Sequence, residues 1–187
     1  MIIDGKKEAA ALREEIKKEI ISIKSKTNKV PGLSVILIGE FAPSLIYVRN
    51  KEKNSKEVGI NSNVIKYSND VKEEEVLKKI KELNNDKNVS GILVQLPLQD
   101  QIDKKKIINS IDPSKDVDGF NPINVGNLSS GYSAIVPCTP LGCLLLIAAY
   151  FDSMAIANSQ VNNFNFCTFI PRESEILVST SSKTELM

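Results

Sequence analysis

The chain contains no histidine and no tryptophan, only three cysteines, and no glycine after Gly142. The missing histidine excludes every His-based triad. With no CxxC pair among Cys138, Cys143 and Cys167, the usual zinc sites are excluded too, so no metal is expected. The three thiols read as small buried packing residues. Any acid or base must then be Lys, Asp, Glu, Tyr or Cys. An excess of one charge is also lacking: 24 Lys plus Arg stand against 23 Asp plus Glu, and a net charge of +1 sets up no field to gather nucleic acid or acidic lipid. No apolar run reaches the roughly 18 residues that span a membrane. The start, MIIDGKKEAA, lacks the basic, apolar, then small-residue order of a secretion signal. A cytoplasmic protein without nucleic-acid or membrane partners is the expectation.

What is present is enough for a core. The 187 residues are 42% hydrophobic, the size of one ordinary domain or one and a half. Ala9, Leu12, Ile16, Ile20 and Ile23 recur three and four apart between charged residues, which predicts an amphipathic helix over 6–26. After Pro31-Gly32 the run LSVILIG is continuous, apolar and β-branched, as in a central parallel strand covered on both faces. Pro43 suits a first helical position, and Gly59 a stop. A less buried strand is read at 61–67. Asp70 and Glu73 have capping-box spacing ahead of Val76, Leu77, Ile80 and Leu83, and a strand GILVQ follows at 91–95. Strand and helix alternating at these intervals predict an α/β fold, a three-layer parallel sheet with helices on both faces. Ligands of such sheets bind beyond the carboxyl ends of the strands.

Four side chains, Tyr47, Lys51, Gln95 and Asp118, converge on that rim. Ser44, Tyr47 and Lys51 are three and four apart and share one helix face. A lysine beside an aromatic ring can move a proton if partial burial lowers its pKa, while the ring packs on a flat ligand; the bland alternative is an exposed lysine beside a half-buried tyrosine. Gln95 closes an apolar strand, so its carboxamide must find partners, either a ligand or Lys51, or else the local backbone. Asp118 lies in the turn-rich DVDGFNP, as a held carboxylate or as a turn former bonding its own backbone. From Ile135, IVPCTPLGCLLLIAAYF reads as a turn and then a strongly apolar helix. Near Phe151 the composition shifts to an Asn/Ser/Phe-rich stretch without clear period.

IIDGK near the start, YVRNK at 47–51, VQLPL at 94–98, DVDGFNPINVG at 116–126 and PCTPLG at 137–142 resemble, in order and spacing, the bifunctional methylenetetrahydrofolate dehydrogenase/cyclohydrolase family. The resemblance covers 1 to about 150. It implies oxidation of 5,10-methylene-tetrahydrofolate by NADP, then hydrolysis of the methenyl product to 10-formyl-tetrahydrofolate. It assigns catalysis to Lys51 assisted by Gln95, ring stacking to Tyr47 and pterin binding to Asp118, with Ser44 and Pro97 in the substrate site. A folate substrate and a homodimer are implied with it. Gln99 stands where the family usually has proline, and Asn121 where histidine is usual.

The larger departure comes after PCTPLG, where the family continues into an NADP-binding Rossmann domain with a glycine-rich phosphate loop. Backbone N–H groups can approach a pyrophosphate only where glycines leave room, and Gly142 is the last. The expectation is a folate-binding catalytic domain over 1–150, including the start of a linker helix, and a vestigial or aberrant remnant of the NADP domain over 151–187. ESEILVSTSSKTELM is similar to a later Rossmann strand of the family, with Ser182 in place of a glycine. No cofactor-binding residue is identifiable, and the dehydrogenase step is expected to be impaired. The competing expectation is a non-catalytic subunit that pairs with a full-length homologue.

Overall fold

The computed structural model of the chain describes residues 3–157. Helix α1, Gly5–Thr27, starts where Asp4 Oδ1 accepts from the N–H groups of Lys6 and Lys7, and ends at Asn28 with φ 53°. Strand β1, Gly32–Ile38, lies between β2, Asn61–Tyr67, and β3, Gly91–Val94, and both pairings are parallel. This central place explains the unbroken apolar run of β1, and the edge place explains the alternating burial of β2.

The period of two divides the core. Ile36, Ile38, Ile92 and Val94 face the layer formed by α3, Glu73–Asn85, and α4, Lys104–Ser110. Val35, Leu37 and Leu93 face Val48 of α2, Ala42–Val58, whose last turn closes at Gly59 with φ 93°. Helices therefore cover both faces of a parallel sheet, and all three strands deliver their carboxyl ends to one edge.

Two local readings need correction. No capping box opens α3: its N-cap is Lys72 without a side-chain cap, Asp70 bonds Ser68, and the Glu73 carboxylate takes the Asp103 N–H and Lys106. A carboxylate with a lysine in reach gains more there than from capping its own helix. The run after Asp118 is also more than turns, because α5, Pro122–Ser129, starts there under an Asn121 cap. Both α4 and α5 are too short to show a helical period in sequence. Lys115 fastens the C-terminal end of α3, donating to the carbonyls of Leu83, Asn84 and Asp86 at 3.0, 2.8 and 2.8 Å.

Helix α6, Cys138–Ala157, is the expected apolar helix and continues past Phe151. Leu146 lies against Gly5 at the start of α1. Among the described residues no helix is long and apolar enough to cross a membrane. Cys138 and Cys143 are exposed rather than buried, because α6 lies at the surface of the described residues with Ile147 and Phe151 also open. Residues 151–157, the start of the expected remnant, are the end of α6; Cys167, the Rossmann-like match and the rest of that remnant lie outside the described residues.

Candidate active site

The rim is built from the ends of β1 and β3. Gly39 follows β1 with φ +77°, and a Cβ there would come within 1.9 Å of Asn69 Oδ1 and 2.7 Å of Gln99 Nε2. Gln99 donates to the carbonyl of Ile38 at 3.0 Å and to Asn69 Oδ1 at 3.1 Å, so it ties the loop after β3 to the ends of the other strands. A proline could not make these bonds. The chain then turns at Phe41 into α2, with Pro43 in its first turn.

On α2 the three candidate residues part company by depth. Ser44 is 4% exposed and donates to the carbonyl of Leu96 at 3.4 Å, a strut between α2 and the loop after β3. Tyr47 is 62% exposed, fully available to a ligand rather than half-buried. Lys51 Nζ donates to Gln95 Oε1 at 3.4 Å, long for an N–H···O bond and therefore weak. Gln95 Nε2 donates to the Leu96 carbonyl at 2.8 Å, so its carboxamide serves Lys51 and the local backbone together. The two readings of Gln95 are compatible. The Leu96–Pro97 peptide is cis, and Pro97 is exposed at the rim.

Asp118 comes from a separate segment. Asp116 forms a parallel bridge with Ile92 beside β3, and its carbonyl accepts the Gly119 N–H at 3.1 Å, closing a turn that carries Asp118. Gly119 has φ +66°, and a Cβ there would stand 2.8 Å from the Ile135 carbonyl oxygen and 2.9 Å from Pro137 N. Two distant sequence motifs meet at this glycine. Cys138 Sγ donates to Asp118 Oδ1 at 3.8 Å. Burial pushes the Asp118 carboxyl up; the Lys51 ammonium opposes this, the Asp116 carboxylate adds to it, and the Cys138 bond opposes it. Lys51 is thus hydrogen-bonded to Gln95 and electrostatically coupled to Asp118. Tyr47 sits one helical turn before it.

The turn former of DVDGFNP is Asp116, not Asp118. Asp116 is 2% exposed, and its Oδ2 accepts from Asn121 N–H at 2.7 Å and Asn124 Nδ2 at 3.2 Å. Asn121 caps α5 through Ile123 N–H and donates to the Ile111 carbonyl at 3.0 Å. The sequence singles out neither Asp116 nor Asn124, marks Asn121 only as a departure from the family, and takes Cys138 for packing. The available signal was Asn121-Pro122, an N-cap followed by proline at a first helical position.

The raised Asp118 carboxyl has a consequence for stability. An unfolded aspartate titrates near pH 3.9. Because the folded group holds its proton more tightly, its contribution to stability is fully present below that pH and is lost as pH rises through the folded value. At pH 7 the ionised, desolvated carboxylate is a net cost. Asp118→Asn is expected to raise Tm at pH 7, with the gain vanishing by about pH 3. Thermal melts across this range check it, and a lower Tm at pH 7 would show that the carboxylate's favourable contacts outweigh its burial.

The model of a family described as tetrahydrofolate dehydrogenase/cyclohydrolase, catalytic domain, matches residues 3–118. The bifunctional protein FolD of Pelagibacter ubique is 53% identical over 99% of this chain and 68% of its own length. The crystal structure of the bifunctional FolD methylenetetrahydrofolate dehydrogenase/cyclohydrolase from Campylobacter jejuni is 46% identical, with TM-score 0.78 over 81% of this chain and 54% of that one. A Trypanosoma brucei FolD, complexed with NADP cofactor and inhibitor, is 30% identical with TM-score 0.72, over 85% of this chain and 52% of that one. The chain thus spans about half the length of the two solved relatives.

Proposed function

Because the chain belongs to the tetrahydrofolate dehydrogenase/cyclohydrolase family, we propose that the rim of Tyr47, Lys51, Gln95 and Asp118 is a folate pocket that hydrolyses 5,10-methenyl-tetrahydrofolate. The observation that carries this reading is the position of Lys51, bonded to Gln95 and within electrostatic reach of Asp118. The exposed Tyr47 ring offers a flat face for the folate ring system. Asp118 supplies an acceptor for the N–H groups of the pterin. Ser44 supports the site from below through Leu96, while Pro97 borders it.

Hydrolysis then follows. Water adds through oxygen to the electron-poor methenyl carbon and loses both of its protons as the formyl C=O forms, one to solvent and one to N5, while the bond from that carbon to N5 breaks and its electron pair goes to N5. The product is 10-formyl-tetrahydrofolate, with one proton released. Lys51 is placed to carry the proton away from the attacking water and to return one to N5, with the Gln95 oxygen holding its amine in position.

In the family NADP supplies hydride acceptance for the preceding oxidation. The described residues do not fit it in the usual manner. The strand-end turn at Gly39, which would have to be open for a pyrophosphate to approach its backbone N–H groups, is filled by Asn69 and Gln99. Residues 143–187 contain no glycine with which to form another. We therefore assign hydrolysis, and not NADP reduction, to these 187 residues. The purified chain is expected to bind tetrahydrofolate by calorimetry and to hydrolyse methenyl-tetrahydrofolate, with no absorbance change from NADPH when given methylene-tetrahydrofolate and NADP. NADPH formation would overturn that division of labour, and absence of folate binding would overturn the pocket.

A further inference from the structure

Asp118 has no stiffness of its own, since it sits in a turn that a single residue ties at both ends. The Asp116 carbonyl accepts the Gly119 N–H at 3.1 Å, just after Asp118. The Asp116 carboxylate takes the Asn121 N–H at 2.7 Å and Asn124 Nδ2 at 3.2 Å, both on the same oxygen. The residue is itself anchored to the sheet, because Asp116 bridges Ile92 of β3 and the Ile92 N–H donates to the Lys115 carbonyl at 2.7 Å. The loop bearing Asp118 is therefore referenced to the strand that leads directly into Gln95. We propose that Asp116 is the positioning residue of the folate pocket, acting with Asn124 to hold Asp118 in register with Lys51 and Gln95.

A carboxylate does this better than a neutral side chain. It is nearly inaccessible to water, accepts two N–H groups on one oxygen, and bonds to an ion are the stronger kind. Without it the Asn121 N–H loses its acceptor, the Asn124 amide keeps only the Pro113 carbonyl at 2.8 Å and no longer reaches the turn, and only the Gly119 bond still closes it. Asp118 would then explore positions in which its oxygens no longer meet the pterin.

The proposal rests on the folate reading, and a double-mutant cycle on tetrahydrofolate binding separates the two. Measured by calorimetry on the full chain, Asp116→Ala is expected to weaken tetrahydrofolate binding at least about fivefold, and Asp118→Ala by a similar factor or more. In the Asp118→Ala background, Asp116→Ala is expected to change binding less than twofold, because Asp116 acts only through Asp118. Tm should fall on removing Asp116 in either background, so a purely structural role would lower binding in both. Additive losses therefore overturn the positioning role while leaving the pocket intact. An Asp118→Ala chain that binds normally overturns the pocket and this role together. Should Asp116→Ala fail to fold, Asn124→Ala, which removes one of the two donors on that oxygen, enters the same cycle with the same expectations.

Discussion

Lys51→Met is expected to slow hydrolysis of 5,10-methenyl-tetrahydrofolate by at least about 100-fold while tetrahydrofolate still binds within a few-fold of the parent. Methionine keeps most of the aliphatic stem that lies along α2 and removes only the ammonium. The bond that is lost, 3.4 Å to Gln95 Oε1, is long, so the fold should barely notice and Tm should stay within a few degrees. A proton-handling group contributes about 10²–10⁴ in rate, and its loss falls on kcat rather than on substrate binding. One further change follows from charge. Lys51 opposes the upward push on the Asp118 carboxyl, so without it tetrahydrofolate binding should weaken at a higher pH than in the parent as Asp118 becomes protonated. A Lys51→Met chain that hydrolyses at more than a tenth of the parent rate removes Lys51 from the chemistry. It would favour a subunit that binds folate without acting on it.

Much of this arrangement is legible in the amino acids, for identifiable reasons. A strand buried on both faces can show no polar position, and LSVILIG shows none but Ser34, which is itself buried. The edge strand betrays itself through mixed polarity, and Gly59 ends α2 because the stop needs positive φ. Tyr47, Lys51 and Gln95 were readable because helix period and strand end fix their placement relative to one another. Asp116 and Asp118 look alike in DVDG, yet one is buried and the other faces the rim. That difference depends on where the segment after Asp118 returns, a contact between residues far apart in sequence. Exposure of Cys138 and Cys143 is hidden for the same reason, since it depends on what α6 meets. Local preference also misjudged Glu73, because Lys106 and the Asp103 N–H, some thirty residues away, compete for its carboxylate.

Gly119→Ala is expected to lower stability by about 3 kcal/mol, equivalent to roughly 6–12 °C in Tm, and to weaken tetrahydrofolate binding at least about tenfold. Two costs combine. The left-handed conformation at φ +66° disfavours any Cβ by about 1–2 kcal/mol. The added carbon would also sit 2.8 Å from the Ile135 carbonyl oxygen and 2.9 Å from Pro137 N, and backbone atoms cannot swing aside as a flexible side chain could. Relief requires the turn bearing Asp118 and the segment leading into α6 to separate. That movement pulls Cys138 from Asp118 and carries the carboxylate away from Lys51. Gly131 supplies the control, because its φ of +75° is equally left-handed and nothing lies within 4 Å of its Cβ position. Gly131→Ala should therefore lose only the conformational part, about 1 kcal/mol, and leave tetrahydrofolate binding unchanged. Equal losses of Tm in the two variants would mean that backbone conformation alone demands glycine at 119. The close approach of DVDGFNP to PCTPLG would then play no part in shaping the pocket.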